Sequence, residues 1–195
     1  METEPISIGY SQTLHSNVLG EDRRIFIHLP RGYEDSRTSY PVVYHLYGDR
    51  IEQYFAEAVA TVYNMSSGGD MPGVVLVGID ENDLRYRDLL PMSNSGEETR
   101  IDEFTKYLND ELFPFIDKTF RTKDYRILVG PQVGASFGLY TLFTSPGMFD
   151  AYILNNPFRW TSQPRRTKNR GGHGSRSLAN TLRAPTRTQT WDQMG

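Results

Sequence analysis

Between residues 24 and 155 the chain alternates short apolar runs with longer stretches of helical periodicity. RIFIHL (24–29) alternates apolar and polar positions and runs into Pro30, Arg31, Gly32 and Tyr33, the pattern of a strand ending in a turn. VVYHL (42–46), VVLVGI (74–79) and RILV (126–129) are nearly continuous apolar runs, and AYILN (151–155) is the last strand in the pattern. Runs of this kind suit strands covered on both faces, as in a parallel sheet. Helical stretches lie between them: 52–64, then 101–118, where Phe104, Leu108, Leu112 and Phe115 recur on one side, then 133–143, ended near Ser145-Pro146-Gly147. Strand and helix in alternation predict an α/β fold, doubly wound around a mostly parallel sheet.

The element order places one turn with particular consequences. A strand over 124–129 and a helix from 133 leave Gly130-Pro131-Gln132-Val133-Gly134 between them. Glycines two residues either side of Gln132 are what a sharp strand-to-helix turn requires, because a side chain at either flank would clash where the elements approach. In α/β-hydrolases such an elbow presents a nucleophilic serine. Here its central residue is Gln132, whose amide has no ionisable nucleophile. A literal G-x-S-x-G does follow, at Gly134-Ala135-Ser136-Phe137-Gly138. It places Ser136 about one turn inside the helix, where a serine reads as a small packing residue. The alternative is an active carboxylesterase with Ser136 as its nucleophile.

With 195 residues, 37% of them hydrophobic, the chain can bury one sizeable core. Cysteine is absent, which excludes thiolate chemistry and disulfides. The start, METEPISIGYSQ, has neither a basic nor an apolar segment, so a soluble, cytoplasmic protein without a membrane span is expected. The net charge of -3 conceals an asymmetry. From Thr161 onward seven Arg or Lys stand against Asp192 alone, leaving 14 basic and 23 acidic side chains in residues 1–160. That tail, rich in Arg, Ser, Thr, Gly and Pro, is expected to be disordered. It reads first as a solvated or aberrant terminus, and alternatively as the basic arm of an interaction protein with an acidic partner. It lacks regularly spaced aromatics for stacking on bases, so nucleic acid is not the expected partner.

Several ordered segments carry a family resemblance: IFIHLPRGY, YPVVYHLYGD, VVLVGID followed by RYRDLLP, FTKYLNDELFPFIDKTFRTKDYRILVG, and LYTLFTSPGMFDAYILNNPFRW. Over residues 10–160 the chain resembles the Putative esterase family of α/β-hydrolases, the group containing esterase D and the enterobactin-type siderophore esterases. The family's elbow, Gly-His-Ser-x-Gly-Gly, falls on residues 130–135. The resemblance therefore implies Gln132 at the nucleophile position, Pro131 beside it and Ala135 in place of a glycine. It implies oxyanion donors at Val133 and in the loop after the third strand, where the family's Leu-Asp-Gly-Asp is replaced by Leu46-Tyr47-Gly48-Asp49. The triad acid and histidine would follow the nucleophile in chain order. Beyond residue 155 only the Arg-rich tail remains, with His173.

The expectation is a C-terminally truncated esterase-family domain over 1–160 and a basic tail over 161–195. Most or all serine-hydrolase activity would be lost, with retained binding of a small ester or carboxylate near Gln132, Tyr47 and Gly48. Removing a triad serine costs several orders of magnitude in rate. Missing later strands would expose a sheet edge through which copies could associate. No cofactor is implied. Asp80-Glu81-Asn82-Asp83 reads as a solvated turn rather than a metal site, His28 and His45 read as structural, and His15 has no evident partner.

Overall fold

The structure, a computed structural model, describes residues 7–47, 54–92 and 98–158. Gly48 and the tail from 159, including His173, lie outside the described residues. Six strands form one sheet: β1 (Tyr10–Ser16), β2 (Glu21–His28), β3 (Tyr40–His45), β4 (Val75–Ile79), β5 (Thr122–Pro131) and β6 (Ala151–Asn155), in the spatial order β1-β2-β4-β3-β5-β6. β3 pairs in parallel with β4 and β5, and β5 with β6, while β1 and β2 add an antiparallel edge. The expected mostly parallel sheet is thus a mixed sheet of the α/β-hydrolase kind.

β1 did not stand out in the sequence because YSQTLHS is polar. Only its last residue is buried, and its other positions are exposed or half-buried. Pairing with β2 sets His15 opposite Asp22, and His15 Nδ1 lies 2.7 Å from the Asp22 carboxylate. His15 therefore does have a partner, one that only the register supplies.

Period-two alternation in the central strands feeds two layers. Val42, Tyr44, Val75 and Val77 belong to the larger core, with Phe104, Tyr107, Leu108, Leu112, Phe113 and Phe137. Val43 and Leu76 form a second cluster with Phe26, Phe55 and Val59. α1 (Ala56–Gly68) covers this second face. α3 (Ile101–Tyr107), α4 (Phe113–Thr119) and α5 (Val133–Thr144) cover the other. The expected doubly wound arrangement follows from this alternation.

The helix predicted over 101–118 is interrupted. Leu108–Leu112 is a π turn between α3 and α4. Pro114 follows it in the first turn of α4; having no N–H and a ring that crowds the carbonyl four residues back, it fits where the wider turn has already broken the ladder. The helix predicted over 52–64 lies further along, as α1, ended by Gly69 in the left-handed conformation (φ 81°). Among the described residues no helix is long and apolar enough to cross a membrane.

Candidate functional site

β3 and β5 are neighbours whose following helices, α1 and α5, cover opposite faces of the sheet. Such a divergence opens a crevice at the carboxyl ends of the two strands, the usual position of a ligand site in an open α/β sheet. Tyr47 follows β3 and Gln132 follows β5, so the topology alone brings these two predicted site residues together.

Gln132 is the single residue between β5 and α5 and has φ 49° and ψ -112°, a positive φ uncommon for a residue with a side chain. Its backbone is held on every side. The N–H donates to the Asn155 carbonyl at 2.8 Å. The carbonyl accepts from Ala135 at 3.1 Å, Ser136 at 3.3 Å and Phe158 at 3.2 Å. The flanking glycines are fixed by contact. A Cβ on Gly130 would lie 2.4 Å from the Gly134 carbonyl oxygen, and one on Gly134 would lie 3.0 Å from Leu46 Cδ1. The side chain of Gln132 is left exposed at the bend.

Ser136 lies one turn inside α5 with no exposed surface. Its hydroxyl donates to the Phe158 carbonyl at 2.7 Å. The glycines of the literal motif are packing positions, Gly134 against Leu46 and Gly138 against Leu154. Ser136 is therefore buried in the helix packing, whereas Gln132 is exposed at the bend.

Val133, the first residue of α5, donates its N–H at 3.3 Å to the Tyr47 hydroxyl. Tyr47 is buried, with φ 71°, and its own N–H donates at 2.7 Å to the carboxylate of Glu81, which has no exposed surface. Asp80 is 7% exposed and its carboxylate receives Arg24 at 2.8 Å. The stretch after β4 that read as a solvated turn thus buries its first two carboxylates, because each answers a donor fixed by the fold.

Tyr47, Tyr54, Asp83, Arg85, Tyr86 and Gln132 line a pocket of about 280 Å³. The Arg85 guanidinium stacks 4.4 Å over the Tyr47 ring, and Tyr54 meets that ring edge-on at 5.7 Å. Tyr86 packs edge-on against Phe158 at 6.0 Å. Burial pushes the Tyr47 phenol above its usual range, while the Val133 N–H and Arg85 pull the other way. The neutral phenol is the species present near pH 7. Tyr54, Asp83, Arg85 and Tyr86 were not identified from the sequence as site residues, although Arg85 and Tyr86 open the RYRDLLP segment.

None of the three described histidines lines this pocket. His15 is held by Asp22, and His28 Nδ1 lies 2.8 Å from the Ile8 carbonyl. His45 is 8% exposed, its Nδ1 has no hydrogen-bond partner among the described residues, and burial, opposed by a hydrogen bond with the Leu46 backbone, pushes its pKa down to about 4.

The model of the Putative esterase family matches residues 16–193. The chain belongs to that family. The match continues across residues 161–193, beyond the span over which the ordered segments were recognised. No curated protein matches the chain. Among solved structures it is similar to an IroE-like serine hydrolase from Shewanella oneidensis, with 32% identity and a TM-score of 0.65. That similarity covers 74% of this chain and 49% of the other. A siderophore hydrolase, EstB, from Aspergillus nidulans is 23% identical (TM-score 0.67, 80% of this chain and 58% of that one). An enterochelin esterase from Shigella flexneri is 20% identical (TM-score 0.65, 87% and 40%). These last two show the fold alone, and the chain spans roughly 40–60% of the lengths of all three.

Proposed function

We propose that this esterase-family chain has lost most or all serine-hydrolase activity and keeps a pocket for a small ester or carboxylate. The observation that carries the reading is the identity of the residue at the strained bend between β5 and α5. A nucleophile there would be exposed beside the Val133 N–H, and Gln132 offers only an amide. Acyl transfer needs a nucleophile, a base within hydrogen-bond reach and donors aimed at the developing oxyanion. Gln132 cannot supply the first, none of the described histidines lines the pocket to supply the second, and the Val133 N–H is already engaged by Tyr47. Catalysis by Ser136 would require a buried hydroxyl bonded to Phe158 to reach the crevice.

The test is hydrolysis of p-nitrophenyl acetate and butyrate by the full chain beside its Ser136→Ala and Gln132→Ser variants. Parent and Ser136→Ala are expected to match the uncatalysed background. Activity in the parent that disappears in Ser136→Ala would overturn the reading and make Ser136 the nucleophile. A gain in Gln132→Ser would show that the rest of the machinery survives around a lost serine.

A further inference from the structure

With Gln132 at the bend, Ser136 has no part in acyl transfer, and the partner of its hydroxyl points to a different one. A helical serine ordinarily returns its proton to the carbonyl four residues back. In α5 that carbonyl belongs to Gln132 and lies 3.5 Å from the Ser136 oxygen, whereas the Phe158 carbonyl lies at 2.7 Å. The nearer acceptor takes the proton. Packing alone does not call for the oxygen, since Ala135, beside it in the same turn, is equally buried without one. The hydroxyl reaches outside its helix, to the segment that follows β6.

That segment is fastened to the bend at three points. The Asn155 carbonyl accepts the Gln132 N–H at 2.8 Å, the Phe158 N–H donates to the Gln132 carbonyl at 3.2 Å, and the Phe158 carbonyl accepts the Ser136 hydroxyl. Between these points Asn156 takes φ 53°, a conformation asparagine tolerates better than most residues, and Pro157 fixes its own φ. Phe158 is thereby held over the first turn of α5. Its ring meets Tyr86 edge-on with centres 6.0 Å apart, and Tyr86 lines the pocket together with Gln132. Tyr86 is 56% exposed, so few other contacts compete to orient its ring.

Resting on the reading of a ligand-binding pocket, we propose that Ser136 is a positioning residue for the pocket wall. Its hydroxyl clamps residues 155–158 onto the bend, and Phe158 carries that constraint to Tyr86. The serine of the literal G-x-S-x-G thus shapes the pocket without touching what the pocket holds.

The experiment records the ring ¹³C–¹H signals of Tyr86, assigned through Tyr86→Phe, in the full chain and in its Ser136→Ala and Phe158→Leu variants. Tyr44, fully buried against Phe113 and Phe149, is the internal control. Ser136→Ala is expected to move the Tyr86 signals most of the way to their positions in Phe158→Leu and to leave those of Tyr44 in place. Methyl benzoate added to the parent is expected to shift Tyr86. Each variant is expected to weaken that binding about threefold, and the two combined to weaken it no more than Phe158→Leu alone, because they break one chain of contacts. Tyr86 signals that ignore Ser136→Ala, or that respond to it but not to Phe158→Leu, would overturn the proposal. So would an equal displacement of Tyr44, which would reduce Ser136 to a core contact, or losses of affinity that multiply in the combined variant. Should Phe158→Leu prove unfolded, the comparison of parent with Ser136→Ala decides the matter unaided. The two readings fail separately: methyl benzoate that shifts no Tyr86 signal sinks the binding pocket and leaves the clamp standing, whereas a Tyr86 indifferent to Ser136→Ala does the reverse.

Discussion

Gln132 pays for its position in backbone strain, since a side chain at φ 49° costs on the order of 1–3 kcal/mol. Four backbone hydrogen bonds and two glycine contacts hold it there, so the strain belongs to the bend and not to the glutamine. Relieving it therefore stabilises the fold. Gln132→Gly is expected to raise the urea midpoint by an amount worth about 1 kcal/mol after the added entropy of the unfolded chain, while Gln132→Ala, equally strained, leaves it unchanged. Equal midpoints for the two variants would show that the bend is not strained. The opposite response is expected at Gly130, where alanine drives a Cβ against the Gly134 carbonyl. At this scale the spacing of two glycines made the bend legible in the sequence. The pairing of Tyr47 with Val133 was not legible, because it joins positions 86 apart and depends on β3 and β5 being neighbours.

At the scale of the element, apolar runs announced β3, β4, β5 and β6, while β1 escaped because an edge strand facing water needs no apolar alternation. α2 (Arg85–Asp88), a single turn, escaped for another reason. No periodicity marks so short an element, and it is fixed by charge. Asp88, fully buried, is bonded by Arg23 of β2 and by Arg87 at 2.7 Å, while Glu21 receives Arg23 and Arg87 at 2.6 Å each. Arg87 holds the Glu21 carboxyl below its ordinary range, helped by Arg23. This cluster ties α2 to the sheet and so positions Arg85, three residues earlier, against Tyr47. Removing Asp88 leaves Arg23, which is 3% exposed, with Glu21 but without the more deeply buried of its two carboxylates. Asp88→Asn is expected to cost about 1–3 kcal/mol, because Arg23 and Arg87 keep Glu21 but lose a buried charged acceptor, and Arg23→Met combined with Asp88→Leu to cost less than the sum of the two single changes. Additive losses in urea unfolding of the single and double variants would contradict a coupled pair.

For the whole molecule, the location of the crevice was implicit in the strand order, but the buried polar group on the strand leading to it was not. The β3 run that read as a buried strand carries His45 into the interior, two residues from Tyr47, and Nδ1 finds no partner among the described residues. Burial lowers its pKa from an ordinary 6.5 to about 4, so the folded protein holds this imidazole neutral where the unfolded chain would protonate it. Between pH 6.5 and 4 the unfolded state binds more protons, and stability must fall as pH falls through that window. The loss accumulates to about 3 kcal/mol near pH 4 and is absent above pH 7. His45→Gln replaces the titrating ring with a neutral amide. Its urea midpoint is expected to hold nearly constant from pH 7 to 5, where the parent's declines, because carboxylates titrate mainly below that range. A parent midpoint equally flat from pH 7 to 5 would mean that water reaches His45 and the imidazole titrates as it does in the unfolded chain. A decline as steep in His45→Gln as in the parent would assign the acid sensitivity to other groups.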